Sequence, residues 1–424
     1  MIKFLIKGLM RDKKRSLFPV LVVAIGVFLT TLLYSWMMGV FNEMIDGNAR
    51  FDTGHVKIMT RAYYEIASQI PNDLGIVNVD SVVASLRARY PDYDWTPRIK
   101  FGGLLDFPDE NGETRTQGPV IGFAIDLFSN DSHESQRWRL EESVVRGRMP
   151  QKPYEILLSD EFALKQGVNP GDVGTLIGAT ANGAMAVQNF IVAGTVTFGM
   201  APMDRGAMIV DIGDAQYALD MDNGAGEIVG YAKNMLYDSE RSSEICNDFN
   251  RKNKNTDKSF SLIAVTLEQQ NGLGDYLKFA RSAGFLVVLI FVISMGIVLW
   301  NSGLMAGIRR YGEIGVRLAI GESKSHIYGT LIMESVVVGI VGSLIGVAFG
   351  LLVAYYFQEI GIDISGSFKN SSLMVHNVIR ARITAVSFYI GLFPGILSNI
   401  FGTAIAGIGV FKRQTASLFK ELET

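Results

Sequence analysis

The sequence predicts a membrane protein of four transmembrane helices, one followed by three, with a large α+β extracytoplasmic domain inserted between helices one and two. Three observations carry that prediction. Residues 17–40, 282–308 and 383–411 contain no charged side chain, and residues 327–357 contain only Glu334. Each stretch exceeds the roughly 20 helical residues that cross a hydrocarbon core about 30 Å thick. Residues 41–281, by contrast, are polar and read as a water-soluble domain. Helices satisfy their own backbone polar groups in lipid, which open strands cannot do.

The elements follow in order. Residues 1–16 form a basic cytoplasmic segment and residues 17–40 the first helix, longer than a signal-peptide core and without a small-residue cleavage site after it, hence an uncleaved anchor. The polar domain occupies 41–281, the second helix 282–308, a cytoplasmic loop 309–326 and the third helix 327–357. An outer loop 358–382, the fourth helix 383–411 and a cytoplasmic tail 412–424 complete the chain.

Orientation follows from Lys and Arg at helix flanks. Lys3, Lys7, Arg11, Lys13, Lys14 and Arg15 place the N-terminus inside, and Arg309, Arg310, Arg317 and Lys324 place the second loop there too. Lys412, Arg413 and Lys420 put the C-terminus on the same side, although Lys369, Arg380 and Arg382 fall on the outer loop. Tyr34, Trp36, Tyr355 and Tyr356 sit where aromatic belts form.

Within the polar domain, Asn78 precedes an amphipathic helix ended by Pro91. Residues 95–107 and 113–125 alternate around Asp109-Glu-Asn-Gly112, a hairpin signal. Short β-type runs at 155–159, 189–196, 206–211 and 261–265, with helices at 159–166 and 242–253, complete an antiparallel-rich domain. Residues 41–95 with 215–281 form one expected lobe, and 96–214 the outer one.

Composition narrows the function. At 48% hydrophobic and 19% charged, the chain is too apolar for an ordinary soluble protein and too polar for a bare helical bundle. A net charge of −3 without a basic stripe excludes a nucleic-acid partner. The single Cys246 forms no internal disulfide, and His55, His133, His326 and His376 are too scattered for a metal site. There is no HExxH, no GxSxG elbow and no Walker A sequence. Ser417-Leu-Phe-Lys420 matches SxxK by chance in the tail. No catalytic residue and no cofactor are expected on this chain.

The loop after helix two reads Arg309-Arg-Tyr-Gly-Glu-Ile-Gly-Val-Arg-Leu-Ala-Ile-Gly321. Ile314, Arg317 and Leu318 fall at i, i+3 and i+4, Gly321 is a natural helix terminator, and Ser323 or Ser325 a natural start. One reading is a basic loop that only sets topology; the other is a short helix that engages a soluble partner.

That run resembles the coupling-helix signature of the FtsX/MacB/LolC-LolE superfamily of ABC-transporter permeases. Arg146-Gly-Arg-Met-Pro150, Glu155-Ile-Leu-Leu-Ser159, Asn189-Phe-Ile-Val-Ala-Gly-Thr195 and Gly206-Ala-Met-Ile-Val-Asp211 look like the family's periplasmic core. The size of the external domain, with Gly39-Val-Phe-Asn-Glu-Met44 and Gly54-His-Val-Lys-Ile58, is most similar to the lipoprotein-releasing LolC/LolE type.

The resemblance implies a permease subunit of a mechanotransmission device in the bacterial inner membrane. Two permease subunits would pair, as a homodimer or heterodimer. A separate ABC ATPase, carrying ATP and Mg, would bind each coupling helix through Glu313, Ile314, Val316, Arg317 and Leu318. Met37, Met38, Phe41 and Phe285 would flank a lateral substrate mouth open to lipid. A carrier-docking loop would fall at 181–188, with Asn182, Met185 and Gln188, although it lacks the Pro and Arg of the family's carrier-capturing hook. The tail at 415–423 lacks the family's usual Pro. The implied function is extraction of lipoproteins for outer-membrane delivery. The alternatives are MacB-like efflux with a periplasmic adaptor, and FtsX-like regulation of a cell-wall hydrolase.

Inside the membrane, Glu334 should face the bundle or snorkel inward. Gly342, Gly346 and Gly350 should admit another helix, and Pro394 should kink helix four.

Overall fold

The computed structural model describes residues 13–253, 260–270, 272–308, 311–363 and 378–412. It divides into a unit built on residues 43–277 and a second built on residues up to 42, 278–362 and 379 onward. Residues 3–11, Arg309, Arg310, Lys369, His376, Arg413 and the motif at 417–420 lie outside the described residues.

Helix α1 (Lys13–Asn48) begins before the apolar stretch and continues past it. The polar segment folds on one ten-stranded mixed sheet. Its strands are β1 (Val56–Thr60), β2 (Tyr93–Pro108), β3 (Thr114–Ile125), β4 (Val144–Gly147) and β5 (Glu155–Ser159). They continue with β6 (Val173–Ala179), β7 (Met185–Val196), β8 (Ala207–Asp211), β9 (Glu227–Ala232) and β10 (Leu262–Thr266). Spatial order is β10-β1-β9-β2-β3-β8-β5-β7-β4, with β6 pairing β2 and β7. The β3–β8 and β5–β7 pairs are parallel. Strand β2 crosses the boundary placed at 95/96 from the sequence: residues 93–98 pair with β9 and residues 99–108 with β3.

Local chemistry explains these elements. In the β2–β3 hairpin, Asp109 Oδ1 accepts from the amides of Asn111 and Glu113, and Gly112 supplies φ +81°. Helix α2 (Val79–Arg89) buries Val79, Val83 and Leu86 on one face. Asn78, expected to cap it, is instead left-handed at φ 53° and makes no side-chain cap bond. Helix α3 (Asp160–Gln166) ends on left-handed Gly167. Helix α4 (Ser239–Lys252) starts three residues earlier than its polar run indicates, because Asp238 accepts from the amides of Glu240 and Arg241.

Two apolar clusters fill the domain. One gathers Trp95, Ile99, Phe107 and Phe190 beneath α2 and α4. The other sets Phe51, Trp138 and Phe198 edge to face, with centroids 4.9 Å and 5.8 Å from Phe51.

The second unit holds α5 (Leu273–Ile308), the short α6 (Tyr311–Ala319), α7 (Lys324–Ile360) and α8 (Leu392–Lys412). Among the described residues, four helices are long and apolar enough to cross a membrane. Gly342, Gly346 and Gly350 of α7 lie against α1: an added Cβ would sit 2.9 Å from Val20 O, 2.5 Å from Ala24 O and 2.9 Å from Thr31 Cβ respectively. Close backbone approach of this kind lets helices associate in lipid, where the hydrophobic effect gives no drive. Helices α7 and α8 are joined by Asn399 Nδ2 donating to Ser335 O at 2.7 Å and Tyr328 Oη donating to Ala404 O at 3.2 Å.

Pro394 does not kink a continuous fourth helix. A 3₁₀ turn, Ala385–Phe388, with Thr384 and Ser387 capping each other, precedes α8, and Pro394 is the third residue of α8. A proline in the first turn lacks only an amide that has no intrahelical partner there.

Candidate functional site

Helix α6 carries the segment expected to couple to a partner. It ends in a Schellman motif: Gly321 is at φ +98°, its amide donates to Leu318 O at 3.1 Å, and the Glu322 amide donates to Arg317 O at 3.0 Å. Ser323 then caps α7 by accepting from the His326 amide at 3.3 Å.

The five residues expected to contact a partner part ways here. Ile314 is 2% exposed and packs with Ile327, Leu331 and Leu318, so both apolar residues attach α6 to α7. Arg317 is engaged within the chain by Glu322. Val316 faces outward at 48% exposure, and the Glu313 side chain lies outside the described residues. Ile320, which the sequence reading did not single out, is 81% exposed. Val316 and Ile320 are i, i+4 neighbours, so the outward face of this turn is apolar. That spacing was the available signal.

Of the residues expected at a lateral mouth, Met37 and Phe41 of α1 pack directly against Gly284 of α5, where an added Cβ would meet Met37 Cε and lie 3.3 Å from the Phe41 ring. Phe285 points away and is 66% exposed, while Met38 is half-buried. Helix α5 is the least covered of the four long helices, with Ile290, Ile293 and Ile297 also exposed.

The loop between β6 and β7 turns at Gly183 (φ +77°). Asn182 Nδ2 donates to Asp220 Oδ2 at 2.6 Å and Gln188 Nε2 to Asn189 O at 3.2 Å, so both side chains are occupied locally. Met185 and Val187 are exposed on the same face of β7.

The buried charges of the sheet domain compensate one another. Lys57 Nζ lies 2.7 Å from Glu227 Oε2, Lys100 Nζ lies 3.0 Å from Glu227 Oε1, and Asp52 joins both lysines. These cations hold the Asp52 carboxyl far below its usual range against the opposing effect of burial. No group of three or more potential metal ligands occurs among the described residues.

A chain with several membrane-length helices, a short helix between two of them and a folded sheet domain inserted after the first is a multi-pass membrane protein in architecture. Comparison with known proteins gives its relatives. Residues 285–415 match the FtsX-like permease C-terminal family. The chain is 26% identical over 231 residues to the lipoprotein-releasing system transmembrane protein LolC of Xylella fastidiosa, covering 53% of each. It is 34% identical over 108 residues to the macrolide export ATP-binding/permease protein MacB of Agrobacterium fabrum, covering 26% of this chain and 16% of that one. The crystal structure of the periplasmic region of MacB from Actinobacillus actinomycetemcomitans aligns with 54% of this chain and 96% of its own, at 11% identity and a TM-score of 0.36. The match to LolC spans about half the length of that relative. Residues 285–415 thus carry the FtsX-like permease C-terminal family, and the chain is similar to LolC-type and MacB-type permease proteins.

Proposed function

We propose that this chain is the permease subunit of a mechanotransmission-type ABC transporter that releases lipoproteins from the bacterial inner membrane. In this reading both termini are cytoplasmic and the sheet domain is periplasmic. The subunit pairs with a second permease and takes its drive from two copies of a separate ATPase that hold ATP and Mg. A periplasmic carrier or adaptor would receive the substrate.

The observation that carries the reading is the apolar face formed by Val316 and Ile320 on α6, exposed while Ile314 and Leu318 fasten the same helix to α7. A helix held on one face and bare on the other suits a soluble partner whose movement must reach a membrane helix. The LolC-type match runs over 53% of the chain against 26% for the MacB match, which favours lipoprotein release over drug efflux.

The test is co-purification of the tagged permease with its ATPase. Val316→Asp and Ile320→Asp should abolish capture while leaving the permease folded. Retained capture and retained ATP-dependent lipoprotein release would refute the reading. Crosslinking of a drug rather than a lipoprotein near Met37 and Phe41 would favour efflux instead.

A further inference from the structure

A cleft of about 720 Å³ in the sheet domain stands apart from the segments above. Its walls come from the last turn of α1 and the residues just beyond it, from the short helical stretch around Glu134 and Arg137, and from the end of β9. Much of its charge is already spoken for. Arg98 Nε donates to Glu134 Oε2 at 2.8 Å, and Arg137 donates both to Glu134 and to Asp94, the latter from Nη2 at 2.7 Å. Two cations against two carboxylates leave this network neutral, and His133 Nδ1 adds a 3.1 Å contact to Asp94.

What remains on the walls is not balanced. Arg50, Arg139 and Lys233 face Asp46 on the walls, and Glu43 also acts on Arg50, which leaves an excess of one positive charge. Among the described residues neither Arg50 nor Arg139 has an ion pair. Arg50 and Arg139 line the same cleft, and burial first and then the charge of Arg139 push Arg50 below the ordinary arginine range against the opposing charges of Asp46 and Glu43. Arg139 is presented from a left-handed backbone at φ 52°, a conformation a non-glycine residue adopts at a cost.

The wall also offers further donors. His55 Nδ1 accepts from the Ala232 amide at 3.1 Å, which leaves the ring proton on Nε2. Arg137 Nε is buried without a partner, on a side chain 3% exposed. Guanidinium forks, an ammonium and an imidazole N–H are the donor set that tetrahedral oxyanions take; a planar carboxylate is filled by one guanidinium.

We infer that this cleft is a binding site for a phosphate group, held between Arg50 and Arg139 with Lys233 and His55 in support. The phosphate could be a lipid headgroup or a soluble phosphate ester, and the two sources share this recognition. The site is independent of the coupling segment, so it stands or falls apart from the transport reading.

The test is calorimetric titration of the full-length protein in detergent with two probes, inorganic phosphate and dihexanoyl-phosphatidylglycerol below its micellar concentration, each at ionic strength matched with chloride. Saturable binding is expected. Arg50→Gln and Arg139→Asn should each weaken it about tenfold or more, Asn being chosen because it tolerates the left-handed backbone. Arg115→Gln, at an exposed pair with Asp172 outside the cleft, should leave it unchanged. Binding of inorganic phosphate identifies a phosphate group alone as sufficient; binding of the short-chain lipid only identifies a headgroup. Saturation by neither probe overturns the proposal, as does equal binding by folded Arg50→Gln or Arg139→Asn protein, the two variants giving independent readings should one misfold.

Discussion

Arg317 places two donors on one carboxylate: Nε on Glu322 Oε2 at 2.7 Å and Nη2 on Glu322 Oε1 at 2.9 Å. The pair straddles the Schellman turn at Gly321 and ties α6 to the turn that leads into α7. Both side chains are partly exposed, so the pair contributes only about 1 kcal/mol to stability. Its weight lies in geometry. Arg317→Lys replaces a planar fork by a point charge. On the proposed function, it should lower Tm by a few degrees at most, while cutting ATPase activity of the complex reconstituted with its ATPase several-fold. Unchanged ATPase coupling in both Arg317→Lys and Glu322→Gln would show that the pair only trims the turn.

Gly346 tests the contact between α7 and α1. A methyl there meets the Ala24 carbonyl at 2.5 Å and Val27 Cβ at 2.8 Å, so the helices must separate. Gly346→Ala should therefore destabilise by about 1–3 kcal/mol, the usual cost of overpacking. Gly329, on the same helix, has nothing within 4 Å of an added Cβ. Gly329→Ala should be neutral or stabilise by up to about 1 kcal/mol through helix propensity. Thermal unfolding of both variants in one detergent decides it; equal Tm values would mean that this approach is not tight in the bilayer-like state.

These two cases show what the sequence reveals. The glycine repeat at 342, 346 and 350 is legible because lipid leaves few ways to pack helices, and the Asp109–Gly112 turn because its chemistry is local. Helix α6 was harder. Ile314 with Leu318 and Val316 with Ile320 are two i, i+4 apolar pairs, and periodicity cannot choose between them; packing on Ile327 and Leu331 does. Pro394 misled for a related reason, since the helix start depends on how Thr384 and Ser387 cap the preceding 3₁₀ turn. Asn182, read as a docking residue, turns out to be held by Asp220, 38 positions away in the chain. Such long-range polar pairs carry no sequence period at all.

Glu134 is the clearest of them. It is fully buried, with Arg98 and Arg137 both on its carboxylate. Removing one partner of a buried pair leaves uncompensated charge and costs about 3–5 kcal/mol. Glu134→Gln keeps the shape and deletes only the charge, so it should lower stability by that amount in urea unfolding followed by tryptophan fluorescence, Trp138 lying against Arg98 at 5.1 Å. Arg115→Gln, at an exposed pair, should shift the midpoint little. Similar midpoints for the two variants would contradict the buried-network account.

His55 sets a pH dependence. Burial, reinforced by the charge of Arg137, pushes its ring down to about 4 from the ordinary 6.5. Between those values the unfolded chain takes up a proton that the folded domain refuses, and stability rises with pH wherever the unfolded state binds more protons. The contribution is therefore complete above about 6.5 and is lost as pH falls through the window toward 4, by up to about 3 kcal/mol. His55→Gln retains a side chain able to accept from the Ala232 amide but cannot titrate. It should lower stability at pH 7 and flatten the fall in Tm between pH 6.5 and 4, carboxylate titration being common to both proteins. Parallel Tm curves for the two across that window would mean His55 takes up its proton in the folded state as readily as in the unfolded one.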